Sequence, residues 1–147
     1  MSDVEIVNRK ATHLYFFTQV FEAGIILSGT EVKSIKSGKA NLSDAYCAFD
    51  HGELWIRNFH ISEYESGSNN HDPKRPRKLL LNRAELKKLE KKVNEKGNTI
   101  IPYKVYLSDR GMIKVEIALA SGKKSFDKRE SIKEKDVKRD LERKLAE

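Results

Sequence analysis

Ile101-Pro102-Tyr103-Lys104-Val105-Tyr106-Leu107, the turn Ser108-Asp109-Arg110-Gly111, and Met112-Ile113-Lys114-Val115-Glu116-Ile117-Ala118-Leu119 together decide the fold class. Apolar side chains recur at every second position on both sides of the turn, which is the period of a pleated strand with one face buried. The stretch therefore predicts a β-hairpin. Its pattern turns Ile101, Tyr103, Val105 and Leu107 one way with Ile113, Val115, Ile117 and Leu119, and sends Lys114 and Glu116 outward. Pro102 has no N–H to give a ladder, so an edge or a strand start is expected there.

Upstream of the hairpin, Asn82 is followed three residues later by Glu85, the spacing of a capping box, and Leu86, Leu89 and Val93 then recur at helical spacing until Gly97. The other side of this helix carries Lys87, Lys88, Lys91, Lys92 and Lys96 interleaved with Glu85, Glu90 and Glu95. That mixture reads as a solvated face, and no RNA contact is assigned to it. Ser62 to Lys78 is polar, holds Gly67, Pro73 and Pro76, and ends in Lys74, Arg75, Arg77 and Lys78, so a long basic loop is expected.

Ala45 to Phe49 and Leu54 to Phe59 flank Asp50-His51-Gly52-Glu53 and predict a second hairpin, with Trp55 in the core. Tyr15 to Phe21 predicts a strand, interrupted by a bulge or bend at Gly24. Ser28-Gly29-Thr30 signals the start of a short helix over Glu31 to Ile35, and Gly38 its stop. Strands in meanders with two interposed helices point to an α+β, mainly β fold: a small antiparallel barrel with two or three peripheral helices.

The chain has 147 residues and a net charge of +7, enough for one domain and an appendage. Residues 1–120 are read as a barrel domain, with 19 basic against 15 acidic side chains; residues 121–147 are read as a basic tail, disordered when free, with ten against seven. An excess of positive charge in both parts suits a nucleic-acid partner. In the tail, Gly122, Lys123, Lys124, Phe126, Asp127, Lys128 and Arg129 combine phosphate-seeking charge with a ring on which a base can stack.

Catalytic signatures are missing from the sequence. His13, His51, His60 and His71 share no metal-ligand spacing, there is no phosphate loop or nucleophile elbow, and Cys47 reads as core packing. Asp44, Asp50 and Glu53 would suit a magnesium-dependent nuclease, but two of them sit in a hairpin turn where acidic residues serve the backbone. No enzyme activity, metal or cofactor is expected. The single cysteine argues against a disulfide framework, and the absence of a signal-like start or an apolar span argues for a cytoplasmic protein with no membrane partner.

From about Asn8 to Arg143 the chain resembles small protein B, the SsrA-RNA-binding family of bacterial trans-translation. The resemblance is carried by Asn8-Arg9-Lys10-Ala11 with His13 and Tyr15, Phe21-Glu22-Ala23-Gly24-Ile25, Gly29-Thr30-Glu31-Val32-Lys33-Ser34, Gly38-Lys39-Ala40-Asn41-Leu42, Asn70-His71, Arg77-Lys78-Leu79-Leu80-Leu81-Asn82, Lys114-Val115, Gly122-Lys123-Lys124 and Asp127-Lys128-Arg129-Glu130.

The resemblance implies a barrel related to the OB-fold and a non-catalytic adapter. Such an adapter binds the tRNA-like domain of transfer-messenger RNA as a monomer, one to one. It carries that RNA to stalled ribosomes, with the tail entering the decoding centre and mRNA channel. Glu22, Leu80, Asn82, Lys114, His13 and Tyr15 are the positions it implies for the tRNA-like domain, and Gly122, Lys123, Lys124, Phe126, Asp127, Lys128 and Arg129 those for the ribosome. Read from the residues alone, the favoured roles are a helix cap for Asn82, core for Leu80 and part of a turn for Glu22. The competing reading is a ribosomal or translation-factor protein that binds rRNA alone.

Overall fold

The computed structural model describes residues 4–64, 70–95 and 97–122, and within them the deciding stretch is a hairpin of two long strands. In chain order the elements are β1 (Glu5–Val7), α1 (Ala11–Leu14), β2 (Tyr15–Ile25), α2 (Gly29–Lys36), β3 (Ala40–Asn41), β4 (Tyr46–Asp50), β5 (Glu53–Arg57), β6 (His60–Ile61), β7 (Arg77–Leu80), α3 (Arg83–Val93), β8 (Asn98–Leu107) and β9 (Ile113–Gly122).

Strands β8, β4, β5, β7, β2 and β9 follow one another around a ring, and β9 pairs again with β8 to close it. Every ladder is antiparallel, β1 extends the far edge of β8, and β3 pairs with β6 in a separate two-stranded ribbon. The small antiparallel barrel expected from the strand pattern is therefore present, and closure removes the open edges that invite association.

Its interior is one apolar cluster. Ile113, Val115, Ile117 and Leu119 enter it from β9 as the alternation requires, with Phe21, Ala23, Leu54, Ile56, Leu79, Ile100 and Val105 from other strands. The helices plug into the same cluster: Ile35 and Val32 from α2, Leu89, Leu86 and Val93 from α3. Each fully buried side chain of this kind stabilises the fold by roughly 1.5–3 kcal/mol. Both helices begin with capping boxes, Ser28 with Glu31 and Asn82 with Glu85. Cys47 lies in the core, where burial pushes its thiol pKa up.

The strands depart from the expected pattern in several places. β8 carries a bulge between Pro102 and Lys104, so Ile101 and Tyr103 point to a second, outer cluster with Ala11, Ala120, Tyr15 and Phe17, while Val105 and Leu107 stay inside. Pro102 thus sits at an irregularity within an interior strand and not at an edge, because a bulge also releases it from donating. The irregularity of β2 lies between Phe17 and Gln19 and not at Gly24, which stays paired on both sides.

Trp55 is half-buried on the outer face of β5, because Leu54 and Ile56 on either side of it take the inward positions. The connection at His51 and Gly52 has positive φ at both residues (52° and 77°), the two-residue turn that matches strand twist.

The largest correction concerns Arg77 and Lys78. They open strand β7, and Arg77 is 0% exposed. Its guanidinium donates from Nε to Glu31 Oε2, from Nη1 to the Phe59 carbonyl at 2.5 Å, and from Nη2 to the carbonyls of Asp72 (3.3 Å) and Pro73 (3.2 Å). Glu31, itself 0% exposed, also receives Arg75 Nε at 3.1 Å and the Ser28 N–H at 2.8 Å. Beside them the His71 ring donates from Nε2 to the Ile61 carbonyl at 2.8 Å and meets Thr30 Oγ1 at 2.8 Å through Nδ1. What reads as loop charge is an internal ion cluster tying α2 to β7 and to the loop before it.

Burial alone would raise the Glu31 pKa, but the hydrogen bonds from Arg75, the Ser28 backbone and Arg77, with the charge of Arg77, hold it below the ordinary 4.5. A lowered folded value means that the contribution is complete above the unfolded pKa and is lost as pH falls through the folded one. Urea midpoints measured from neutral pH downward should therefore drop for the wild-type chain and drop less for Glu31→Gln. Glu31→Ala strands Arg77 without a counter-charge and should cost about 3–5 kcal/mol at neutral pH.

Candidate nucleic-acid interface

Beyond the ion cluster, β7 continues to Leu80, which pairs with Gly24 of β2; Gly24 pairs in turn with Lys114 of β9, and Lys114 with Tyr106 of β8. Residues directly opposite one another across neighbouring strands share a face. Leu80, Gly24, Lys114 and Tyr106 thus form one row across the outside of the barrel. The neighbouring row holds Glu22, Glu116 and Lys104, paired in that order.

Leu80 is 48% exposed, so it is a surface residue and not core. Gly24 explains its posture: a Cβ there would stand 3.3 Å from Leu80 Cβ and 3.6 Å from Cδ1. Lacking one, β2 lets Leu80 lie low against it as an apolar shelf. Two residues further on, Asn82 caps α3, its side-chain oxygen accepting from the Glu85 N–H at 2.8 Å. The cap engages that oxygen alone and takes nothing from the amide NH2. Glu22 is exposed and accepts a hydrogen bond from the Tyr106 hydroxyl. Lys114 is half-buried by its stem and makes no ion pair among the described residues.

The fold therefore brings Glu22, Leu80, Asn82 and Lys114 to one neighbourhood, from three strands and a helix start. Sequence reasoning missed Tyr106, which it read only as an alternating strand residue, and the reason for Gly24. His13 and Tyr15 are elsewhere. His13 is in the last turn of α1, and Tyr15 starts β2, roughly 20 Å along the strand from Glu22 at about 3.3 Å per residue. Tyr15 lines a hollow of about 330 Å³ with Asn8, Lys10 and Tyr46.

Gly122, expected at the root of the tail, is the last residue of β9 and pairs with Tyr15, as Ser121 pairs with Phe16. Lys123, Lys124, Phe126, Asp127, Lys128 and Arg129 lie outside the described residues. Of the acidic trio, Asp50 and Glu53 face each other across the hairpin turn. Asp50 is bound to His51 Nδ1 at 2.6 Å and Glu53 to Lys78 Nζ at 2.7 Å, while Asp44 lines a separate hollow with Asn41 and His60. Among the described residues no group of three such side chains is placed to hold a metal ion, and no helix is long and apolar enough to cross a membrane.

Gly24→Val should press on Leu80 and destabilise the chain by about 1–3 kcal/mol, read as a lower urea midpoint with an unchanged m value.

Comparison with known proteins identifies the family and the fold. The family described as SmpB protein matches residues 5–147. The SsrA-binding protein of Cytophaga hutchinsonii is 54% identical over 144 residues, covering 97% of this chain and 94% of that one. That of Moorella thermoacetica is 51% identical over 141 residues, covering 95% and 91%. A solved chain from "tmRNA-SmpB: a journey to the center of the bacterial ribosome" superposes with a TM-score of 0.71 at 44% identity, covering 88% of this chain and 94% of that one. A match this long and this uniform, on the barrel derived above, means that the chain belongs to the SmpB protein family.

Proposed function

We propose that this protein binds transfer-messenger RNA and accompanies it to stalled ribosomes as an adapter, working in the cytoplasm without catalysis of its own. The observation that carries the reading is the near full-length likeness to SsrA-binding proteins and to a chain of the tmRNA-SmpB structure.

The geometry supplies the physical rationale. Glu22, Leu80, Asn82 and Lys114 meet the tRNA-like domain. An acceptor, an apolar shelf, an amide and a cation on one face suit a folded RNA, whose loops display base edges and sugar hydroxyls beside phosphates. At the other end of β2, Gly122 closes the last ladder next to Tyr15, so the end of β9 stands at the opposite end of the barrel from Glu22 and Lys114. Barrel and tail can then engage different partners at once: transfer-messenger RNA at one end, and rRNA of the decoding centre through Lys123, Lys124, Phe126, Lys128 and Arg129 at the other. His13 and Tyr15 belong with this second end. The excess of ten basic over seven acidic side chains beyond residue 120 favours phosphate contact there.

Lys114→Ala should weaken binding to transfer-messenger RNA and flatten its salt dependence by about one phosphate contact, as read by filter binding across a salt series. Ending the chain after Gly122 should leave that affinity intact and abolish tagging of nascent peptides in a reconstituted system. Tagging by the shortened chain would overturn the two-ended arrangement. High-salt washing of ribosomes separates the adapter from a resident ribosomal protein, since the adapter leaves with one small RNA.

A further inference from the structure

The hollow that Tyr15 lines has room for an aromatic side chain. Its volume is about 330 Å³, and a cavity of about 150 Å³ already accommodates benzene. Ala11, Leu14, Ala45 and Ile101 supply its apolar wall, with Tyr15 and Tyr46 beside them. Tyr46, 41% exposed, is among the large side chains that the barrel leaves uncovered.

Asn8 belongs to the same lining although it is buried. Its Nδ2 donates to the Pro102 carbonyl at 3.3 Å, but its Oδ1 is buried with no hydrogen-bond partner among the described residues. Buried acceptors are nearly always satisfied, so an orphan of this kind asks for a donor. Lys10 and Asp44 complete the lining, both exposed, opposite in charge and in no ion pair among the described residues.

The end of β9 says what arrives there. Gly122 pairs with Tyr15, and Ala120, two residues earlier, packs in the outer cluster with Ala11, Ile101 and Tyr15. Beyond Gly122 the sequence runs Lys123-Lys124-Ser125-Phe126-Asp127, and Phe126 is the only aromatic residue among 123–147. Four residues of extended chain reach about 13 Å, enough to bring its ring back to a hollow that starts at Tyr15.

We propose that the protein's own tail occupies this hollow before the ribosome is met, with the Phe126 ring against Tyr15 and Tyr46. A main-chain N–H beside Phe126 donates to Asn8 Oδ1, and Lys124 and Asp127 meet Asp44 and Lys10. Ion pairs at an exposed rim contribute little, so burial of the ring carries the docking. The tether holds that ring at a roughly millimolar effective concentration, which favours it over apolar groups of other molecules. The inference goes beyond the adapter reading and rests on it in one respect, that Phe126 is a group the ribosome uses. Docking then keeps the stacking ring from unrelated RNA until decoding-centre contacts displace it.

Two measurements on the full-length protein without RNA test this. The first is alanine-methyl NMR of the wild type and Phe126→Leu, a change that leaves the barrel sequence untouched. Loss of the ring current should shift the methyl resonances of Ala11 and Ala45 and leave that of Ala84, on α3, in place. The second is chymotrypsin cleavage after Phe126, which should be about tenfold slower in the wild type than in Tyr46→Ala. Trypsin should cut after Arg139 at the same rate in both.

Unmoved Ala11 and Ala45 methyls overturn the proposal, and so do equal chymotrypsin rates. A shift confined to other alanines puts the ring elsewhere and overturns it too. If Tyr46→Ala fails to fold, the methyl shifts decide alone. None of these results touches the adapter reading, whereas failure of the wild-type protein to bind transfer-messenger RNA sinks that reading and leaves the docking standing.

Discussion

A carboxylate and a guanidinium, both removed from water, fasten helix α2 to strand β7 of this barrel. Glu31 could not be buried alone, nor could Arg77, since either charge in an apolar interior costs several kcal/mol. Buried together, with Arg75, the Ser28 N–H and three carbonyls completing their hydrogen bonds, they satisfy each other. The geometry this demands is narrow. Arg77 can reach Glu31 and the Phe59 carbonyl only if β7 lies beside β5 in one register, and that register sets Leu80 opposite Gly24 three residues later. The apolar shelf of the candidate RNA face is placed by an ion pair inside the protein.

How much of this the sequence discloses depends on the range of the forces involved. The β9 alternation and both capping boxes are local, and they are found where the spacing puts them. Arg77 is misread because its partner lies 46 residues away; nothing in Arg75-Pro76-Arg77-Lys78 distinguishes a buried arginine from a solvated one. The bulges at Phe17/Gln19 and Pro102/Lys104 escape for a similar reason. They arise from fitting two long strands to one closing ring, and each changes which side chains point inward. The short strands β1, β3 and β6 have too few residues to show a period at all.

The candidate site divides along the same line. Residue types at Glu22, Asn82 and Lys114 suit polar surface roles, and the family resemblance places them there, but their convergence is a property of the β7–β2–β9 pairings. Leu80 is the instructive case. Within Lys78-Leu79-Leu80-Leu81 every leucine looks like core, and only the strand phase shows that Leu79 is buried while Leu80 is 48% exposed. Gly24 likewise reads as a break in a strand when it is a seat for a neighbour's side chain. Tyr106 is invisible without the fold, since its hydroxyl serves a residue two strands distant.

The closing strand also has a mechanical meaning. β9 is zipped to β2 along one side and to β8 along the other, and Gly122 is its final residue. A pull applied at Gly122 along the strand axis would load the two ladders together. Both ladders then resist in shear, with many hydrogen bonds sharing the load in place of opening one after another. The barrel is thereby held against traction at the end of its closing strand, because two neighbouring strands share the load.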